Sequence, residues 1–111
     1  MEITAQHNQG VTVLYPKGRI TIGKGDVALR EAVLGALDAG GTKILINLKG
    51  VSTIDSSGIG ETVSAFTTVK KRGGDLKLCE LSSKVMDVLQ VTQLITVLDV
   101  FDSEQEALDS F

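Results

Sequence analysis

The run Ile44-Leu45-Ile46-Asn47-Leu48 is the tightest constraint on what this chain can become. It is almost continuously apolar and too short for a helix, so it predicts a strand covered on both faces, as in a parallel sheet. Parallel strands need crossovers, usually helical, and the flanking sequence supplies them. Upstream, Gly23-Lys24-Gly25 breaks the pattern and Asp26 offers an N-cap. Leu29, Ala32, Val33, Ala36 and Leu37 then recur at helical spacing until Gly40-Gly41. Downstream, a second helix is expected from about Gly58 to Arg72, with Ile59, Val63, Phe66 and Val69 facing inward and Gly73-Gly74 ending it.

The remaining segments extend the same scheme. Ile3 and Ala5 alternate with polar neighbours, Asn8-Gln9-Gly10 is turn-prone, and Val11, Val13 and Tyr15 alternate again. That is a hairpin, and Pro16 should end its regular ladder or stand at an edge. Leu76, Leu78 and Leu81 give another strand. Ser82 or Ser83 caps a short helix carrying Val85, Met86 and Leu89, and Ile95, Val97 and Leu98 lead into a last strand near Val100. Ser103 and Glu106 have capping-box spacing ahead of a final helix with Ala107 and Leu108. The alternation implies right-handed crossovers. The expected fold is α/β: one domain over residues 1–111, with a mixed, mostly parallel sheet opened by a hairpin and about four helices.

Charge and composition narrow the partners. A net charge of −3 argues against nucleic acid or an anionic membrane, which call for a basic face. The aromatic residues are Tyr15, Phe66, Phe101 and Phe111, too sparse for a stacking platform. Lys70-Lys71-Arg72 falls in the last turn of a predicted helix, where cations complement the dipole. One cysteine, Cys79, makes no internal disulfide, which fits a reducing cytosol and a cytoplasmic location. With no His or Lys beside it, Cys79 reads as an inert, partly buried thiol. With no N-terminal apolar h-region and no run of about 18 apolar residues, neither an export signal nor membrane insertion is expected. One histidine, His7, and one cysteine make no metal-site spacing, so no metal and no cofactor are expected.

The chemistry gathers at Val51-Ser52-Thr53-Ile54-Asp55-Ser56-Ser57-Gly58, just past the buried strand and at the mouth of a helix. In an open α/β sheet such a place meets ligands and partners. Asp and Ser are also good N-cap residues, so capping alone accounts for part of the pattern. Gly58 and Gly60, however, open the helix with poor helix formers, costing about 1 kcal/mol each relative to Ala, and small residues let another chain approach. A phosphoserine here carries about −1.5 to −2 charges. It faces the positive end of the helix dipole and free N–H groups, so the fold should tolerate it while docking changes.

Two enzymatic readings fit worse. Gly18-x-x-x-x-Gly23-Lys24 copies most of a phosphate-binding loop, but Gly25 replaces the hydroxyl that would hold Mg²⁺ and Asn47 stands where an acid is wanted. A hydrolase built on Ser56 or Ser57 would depend on His7 as base and lacks the Gly-x-Ser-x-Gly pattern. The expectation is a binding protein rather than an enzyme, with no catalytic residues.

The order of elements, the strand Ile44 to Leu48, the motif Ile54-Asp55-Ser56-Ser57-Gly58-Ile59-Gly60 and the tail Leu94 to Leu108 resemble a stand-alone STAS domain of the bacterial anti-sigma factor antagonists (anti-anti-sigma factors). The resemblance spans nearly the whole chain and implies partner switching in transcription regulation. The unphosphorylated antagonist binds an anti-sigma factor that is also a serine kinase, which frees the sigma factor. The kinase phosphorylates the first serine after the motif aspartate, here Ser56, and a serine phosphatase reverses this. Asp55, Ser57, Gly58, Thr21 and Ile59 are implied to shape the partner-binding site. Family members often carry an acid in an early Gly-x-Leu/Ile-Asp segment beside the phosphoacceptor. In Gly18-Arg19-Ile20-Thr21, Thr21 stands in its place. The alternative within the same fold is a non-switching scaffold, or an accessory subunit of a signalling complex or lipid transporter. A monomer is the simplest expectation.

Overall fold

Strands β1 (Glu2–Asn8) and β2 (Val11–Ile20) pair antiparallel from Asn8↔Val11 to Glu2↔Lys17, as the turn chemistry predicts. Gln9 and Gly10 both take positive φ, 54° and 77°, the two-residue turn whose twist suits paired strands. The computed structural model describes residues 1–111. Pro16 does not end β2. It is buried opposite Ile3, and the strand runs on to Ile20 after changing parallel partners. Thr12–Leu14 lie beside β3 (Lys43–Asn47), and Gly18–Ile20 lie beside β4 (Val51–Ile54). The N–H that Pro16 lacks falls between those two ladders, where neither needs it.

Strand β4 is an addition to the expected order. It is four residues long with polar Ser52 and Thr53 at its centre, too short and too polar to stand out as a strand. It forms because Val51 and Ile54 are buried and its backbone finds the free end of β2. Strands β5 (Asp75–Cys79) and β6 (Asp99–Phe101) complete the sheet, ordered β1-β2-β3-β5-β6 with β4 joined to β2. Only β1 and β2 run antiparallel, so the sheet is mixed and mostly parallel. Leu81 lies outside β5. Leu94–Thr96 form a 3-10 turn, so the last strand is shorter than expected.

Strand β3 is buried on both faces as predicted. On one side Ile44 and Ile46 join Leu76 and Leu78 against α1 (Gly25–Asp38), α2 (Ser56–Lys71) and α3 (Ser83–Val91). On the other, Leu45 packs with Val11, Val13 and Cys79 under Ala107 and Leu108 of α4 (Glu104–Asp109). Alternate side chains of a strand point to opposite faces, so one five-residue run feeds two cores. The double glycines end α1 and α2 alike: Gly41 N–H donates to Ala36 O and Gly74 N–H to Val69 O, both at 2.9 Å.

Three local expectations change. Helix α1 begins at Gly25 with Lys24 in the cap position, and Asp26 lies inside the first turn. Asp26 Oδ1 accepts from Gly23 N (3.0 Å) and Val27 N (2.8 Å), bracing the preceding loop instead of capping the helix. Helix α2 starts two residues early, at Ser56, with Asp55 as its cap. Val69 is buried as expected, but before it the buried stripe runs through Gly58, Thr62 and Ala65, one residue ahead of the expected Ile59, Val63 and Phe66, of which Ile59 and Phe66 pack only partly against the core. Small side chains seat α2 close to the sheet, so size misled where periodicity was read from the larger apolar residues.

Candidate functional site: the mouth of helix α2

Ile20 and Ile54 are paired at the adjacent ends of β2 and β4, and both chains leave the sheet there. Asp55 ties the two exits together. Its backbone N–H donates to Ile20 O at 3.3 Å. One carboxylate oxygen, Oδ1, accepts from Gly58 N at 2.9 Å and caps α2. The other, Oδ2, accepts from Ile22 N at 3.0 Å and holds the loop after β2. These backbone donors, Gly58 first and Ile22 next, hold the Asp55 carboxyl below the usual carboxylate range. Hydrogen bonds to the charged form favour it.

Around that anchor the expected site residues fall into two groups. Ser56 occupies the first helical position and is exposed. Ser57 follows it, half-exposed, and neither hydroxyl enters a hydrogen bond within the chain. Thr21 is half-exposed in the loop that Asp55 holds, and its carbonyl accepts from Asp26 N at 3.2 Å. Ser56, Ser57, Asp55 and Thr21 therefore share one mouth. Gly58 and Ile59 lie deeper. A side chain at Gly58 would begin 2.2 Å from Ile20 O and 2.7 Å from Ile54 Cγ1, so this glycine admits the protein's own strand. Gly60 faces open space. The small residue at 58 is thus explained from inside the fold.

The residue that sequence reasoning missed is Ile22, which supplies the second hydrogen bond to Asp55 and is 75% exposed. Ile20 and Ile22 alternate like strand residues, and nothing in the sequence marks that the chain leaves the sheet after Ile20. The neighbouring Gly25 offers a retrospective signal. Its absent side chain would meet Arg19 O at 2.2 Å, which shows how tightly the loop folds back on β2.

The phosphate-binding-loop reading finds no matching geometry. Gly18–Ile20 of the loop-like motif are strand residues paired with β4, not a loop around phosphates. Asn47 is buried on the α4 side, donating at 3.1 Å to both Glu80 and Glu104. Tyr15 donates to Glu104 at 2.7 Å, and burial, then that carboxylate, push its hydroxyl up to about 12. This network fastens α4 to the sheet. Cys79 is fully buried, and burial pushes its thiol up to about 12, which agrees with an unreactive side chain. No helix is long and apolar enough to cross a membrane.

Residues 2–107 match the family described as the STAS domain. The chain belongs to the STAS domain family. An anti-sigma-B factor antagonist of Bacillus subtilis is 40% identical to this STAS domain over 72 residues, 65% of either chain. A solved anti-sigma-factor antagonist (STAS) domain protein from Planctomyces limnophilus superposes with a TM-score of 0.82 at 28% identity. That match covers 97% of this chain and 96% of the other. The Bacillus cell fate determinant SpoIIAA in its phosphorylated form gives a TM-score of 0.74 at 22% identity, covering 98% of both chains, and shares the fold.

Proposed function

We propose that this STAS domain is an anti-sigma factor antagonist switched by phosphorylation of Ser56. In the unmodified state it binds an anti-sigma factor that is also a serine kinase, and the sigma factor is released. Phosphate on Ser56 ends that binding, and a serine phosphatase restores it. The protein works in the cytoplasm as a binding partner, without a reaction of its own.

The observation that carries this reading is the exposed Ser56 at the first position of α2, with the cap supplied by Asp55 next to it. A phosphate there adds about −1.5 to −2 charges at the positive end of a 16-residue helix. The helix start tolerates that charge, so the fold survives and the surface changes sign locally. Asp55 and the phosphate then repel a partner that had been matched to a neutral hydroxyl. Ser57, Thr21 and Ile59 shape the same face, and Gly58 sets its depth by letting α2 sit against Ile20. Thr21 leaves one carboxylate fewer beside Ser56 than an acid there would. Support also comes from the family and from relatives described as anti-sigma factor antagonists.

The test is incubation with a candidate anti-sigma kinase and ATP, read by intact mass. The expected result is one phosphate, absent in Ser56→Ala, and weaker kinase binding by Ser56→Asp, which keeps its circular dichroism spectrum. No phosphate gained, with both variants binding as the unsubstituted protein does, assigns the chain to the non-switching scaffolds instead.

A further inference from the structure

The two ends of the sheet order are guarded differently. Strand β6 is three residues long, begins with Asp99 and is followed by Asp102. Strand β1 is seven residues long and runs in unbroken register, without proline or lysine and with Glu2 as its one carboxylate. Short, charged edges resist pairing with another chain, whereas long, weakly charged ones invite it.

The groups that β1 offers can be named. Asn8↔Val11 closes a two-residue turn and is therefore a hydrogen-bonded pair, so by alternation Gln6, Thr4 and Glu2 also bond inward to β2. Pro16 agrees with this phase: having no N–H to give, it stands opposite Ile3, in a pair without such bonds. The N–H and C=O groups of Ile3, Ala5 and His7 thus point away from the sheet. On the helix side of this edge lies a groove of about 330 Å³ between Ile3, Ala5 and His7 of β1 and Ala32, Gly35 and Ala39 of α1. Because α1 presents small residues there, an added strand has room for its side chains.

We propose that this edge is a homodimer interface, in which β1 of a second copy adds antiparallel to β1 about a two-fold axis at Ala5. The outward groups are symmetric about that residue. Ala5 meets the second copy's Ala5 and Ile3 meets its His7, each pair exchanging both backbone bonds. On the opposite face Thr4 meets Gln6 and Glu2 meets Asn8, so no like charges are apposed. Parallel addition in register would instead stack Glu2 on Glu2. A self-complementary two-fold contact closes on itself and leaves no further edge of this kind exposed. The sheet then runs continuously through both copies. The inference is independent of the Ser56 reading, because Ser56 follows β4, which pairs the other end of β2.

Light scattering of the whole chain from micromolar to millimolar concentration tests it. The expected mass rises to twice that of the chain. Ala5→Pro removes an outward N–H without touching the inward ladder, and it should stay at single-chain mass with an unchanged far-ultraviolet spectrum. Ala5→Lys and Ala5→Glu each place like charges across the axis and should also stay single. Mixed in equal amounts, those two should recover the doubled mass, because only self-pairing sets residue 5 against itself. The proposal is overturned by a single-chain mass throughout, by a dimer that survives all three substitutions, or by a charge-swapped mixture that stays monomeric.

Discussion

Three helices in this protein start beside a serine, and they use it in opposite ways. At α3, Ser82 Oγ accepts from Val85 N at 3.3 Å. At α4, Ser103 Oγ accepts from Glu106 N and donates to Glu106 Oε1, both at 3.2 Å. Both hydroxyls are occupied by capping. At α2 the carboxylate of Asp55 holds Gly58 N, and Ser56 comes one position later with its hydroxyl exposed. Moving the cap to an aspartate therefore leaves a serine at a helix start with nothing to do for the fold. That vacancy is what makes Ser56 a candidate for modification.

The sharpest way to break the comparison is to offer all three sites to one kinase. Ser56→Ala should lose all phosphate in an intact-mass assay, while Ser82→Ala and Ser103→Ala should be phosphorylated like the unsubstituted protein. Phosphate remaining in Ser56→Ala, mapped by fragmentation to Ser57 or to another cap, would remove the special standing of the α2 mouth.

Much of this arrangement was legible in the sequence, for identifiable reasons. Ile44 to Asn47 announced itself because burial on both faces leaves an uninterrupted apolar run. Gly40-Gly41 and Gly73-Gly74 marked helix ends because the closing hydrogen bonds there favour glycine at the turn. Strand β4 was not legible, since its pairing is non-local and two of its four residues are polar. The facing of α2 was misjudged because close packing selected Gly58, Thr62 and Ala65, which carry little hydrophobic signal. At the site, Asp55-Ser56-Ser57-Gly58 was visible as a helix start. Its division of labour was not, because the choice of Asp55 over Ser57 as cap depends on where α2 meets Ile20.

A smaller effect separates the two glycines of the α2 opening. Gly58→Ala drives a methyl into Ile20 O and Ile54, and should destabilise by about 1–3 kcal/mol in denaturant unfolding. Gly60→Ala has open space and should stabilise by about 0.5–1 kcal/mol. Equal effects at both positions would mean that α2 does not sit on β2 as closely as described. Smaller again, removing the serine caps by Ser82→Ala or Ser103→Ala should each cost about 1 kcal/mol. Ser56→Ala, with no cap to lose, should stay within about 0.5 kcal/mol of the unsubstituted protein.

The subtlest difference between these helix starts is their response to acid. Gly58 N and Ile22 N donate to ionised Asp55, so its folded pKa lies below its unfolded value, which is near 4. The stabilisation this provides is complete above the unfolded pKa and is lost as pH falls through the folded one. The hydroxyl cap at Ser82 has no such titration. On acidification the amide proton resonances of Gly58 and Ile22 should therefore shift together, with one midpoint lower than that of an unfolded aspartate, while that of Val85 stays in place. Asp55→Asn should abolish the shared midpoint. The coupling of the two amides is the informative part, because Ile22 belongs to the loop that carries Thr21. If Gly58 titrates and Ile22 does not, Asp55 caps the helix without holding that loop, and Thr21 is free to move relative to Ser56. If both titrate, one carboxylate fixes the two segments of the proposed docking face relative to each other, and a phosphate placed on Ser56 acts beside the charge that keeps that face in shape.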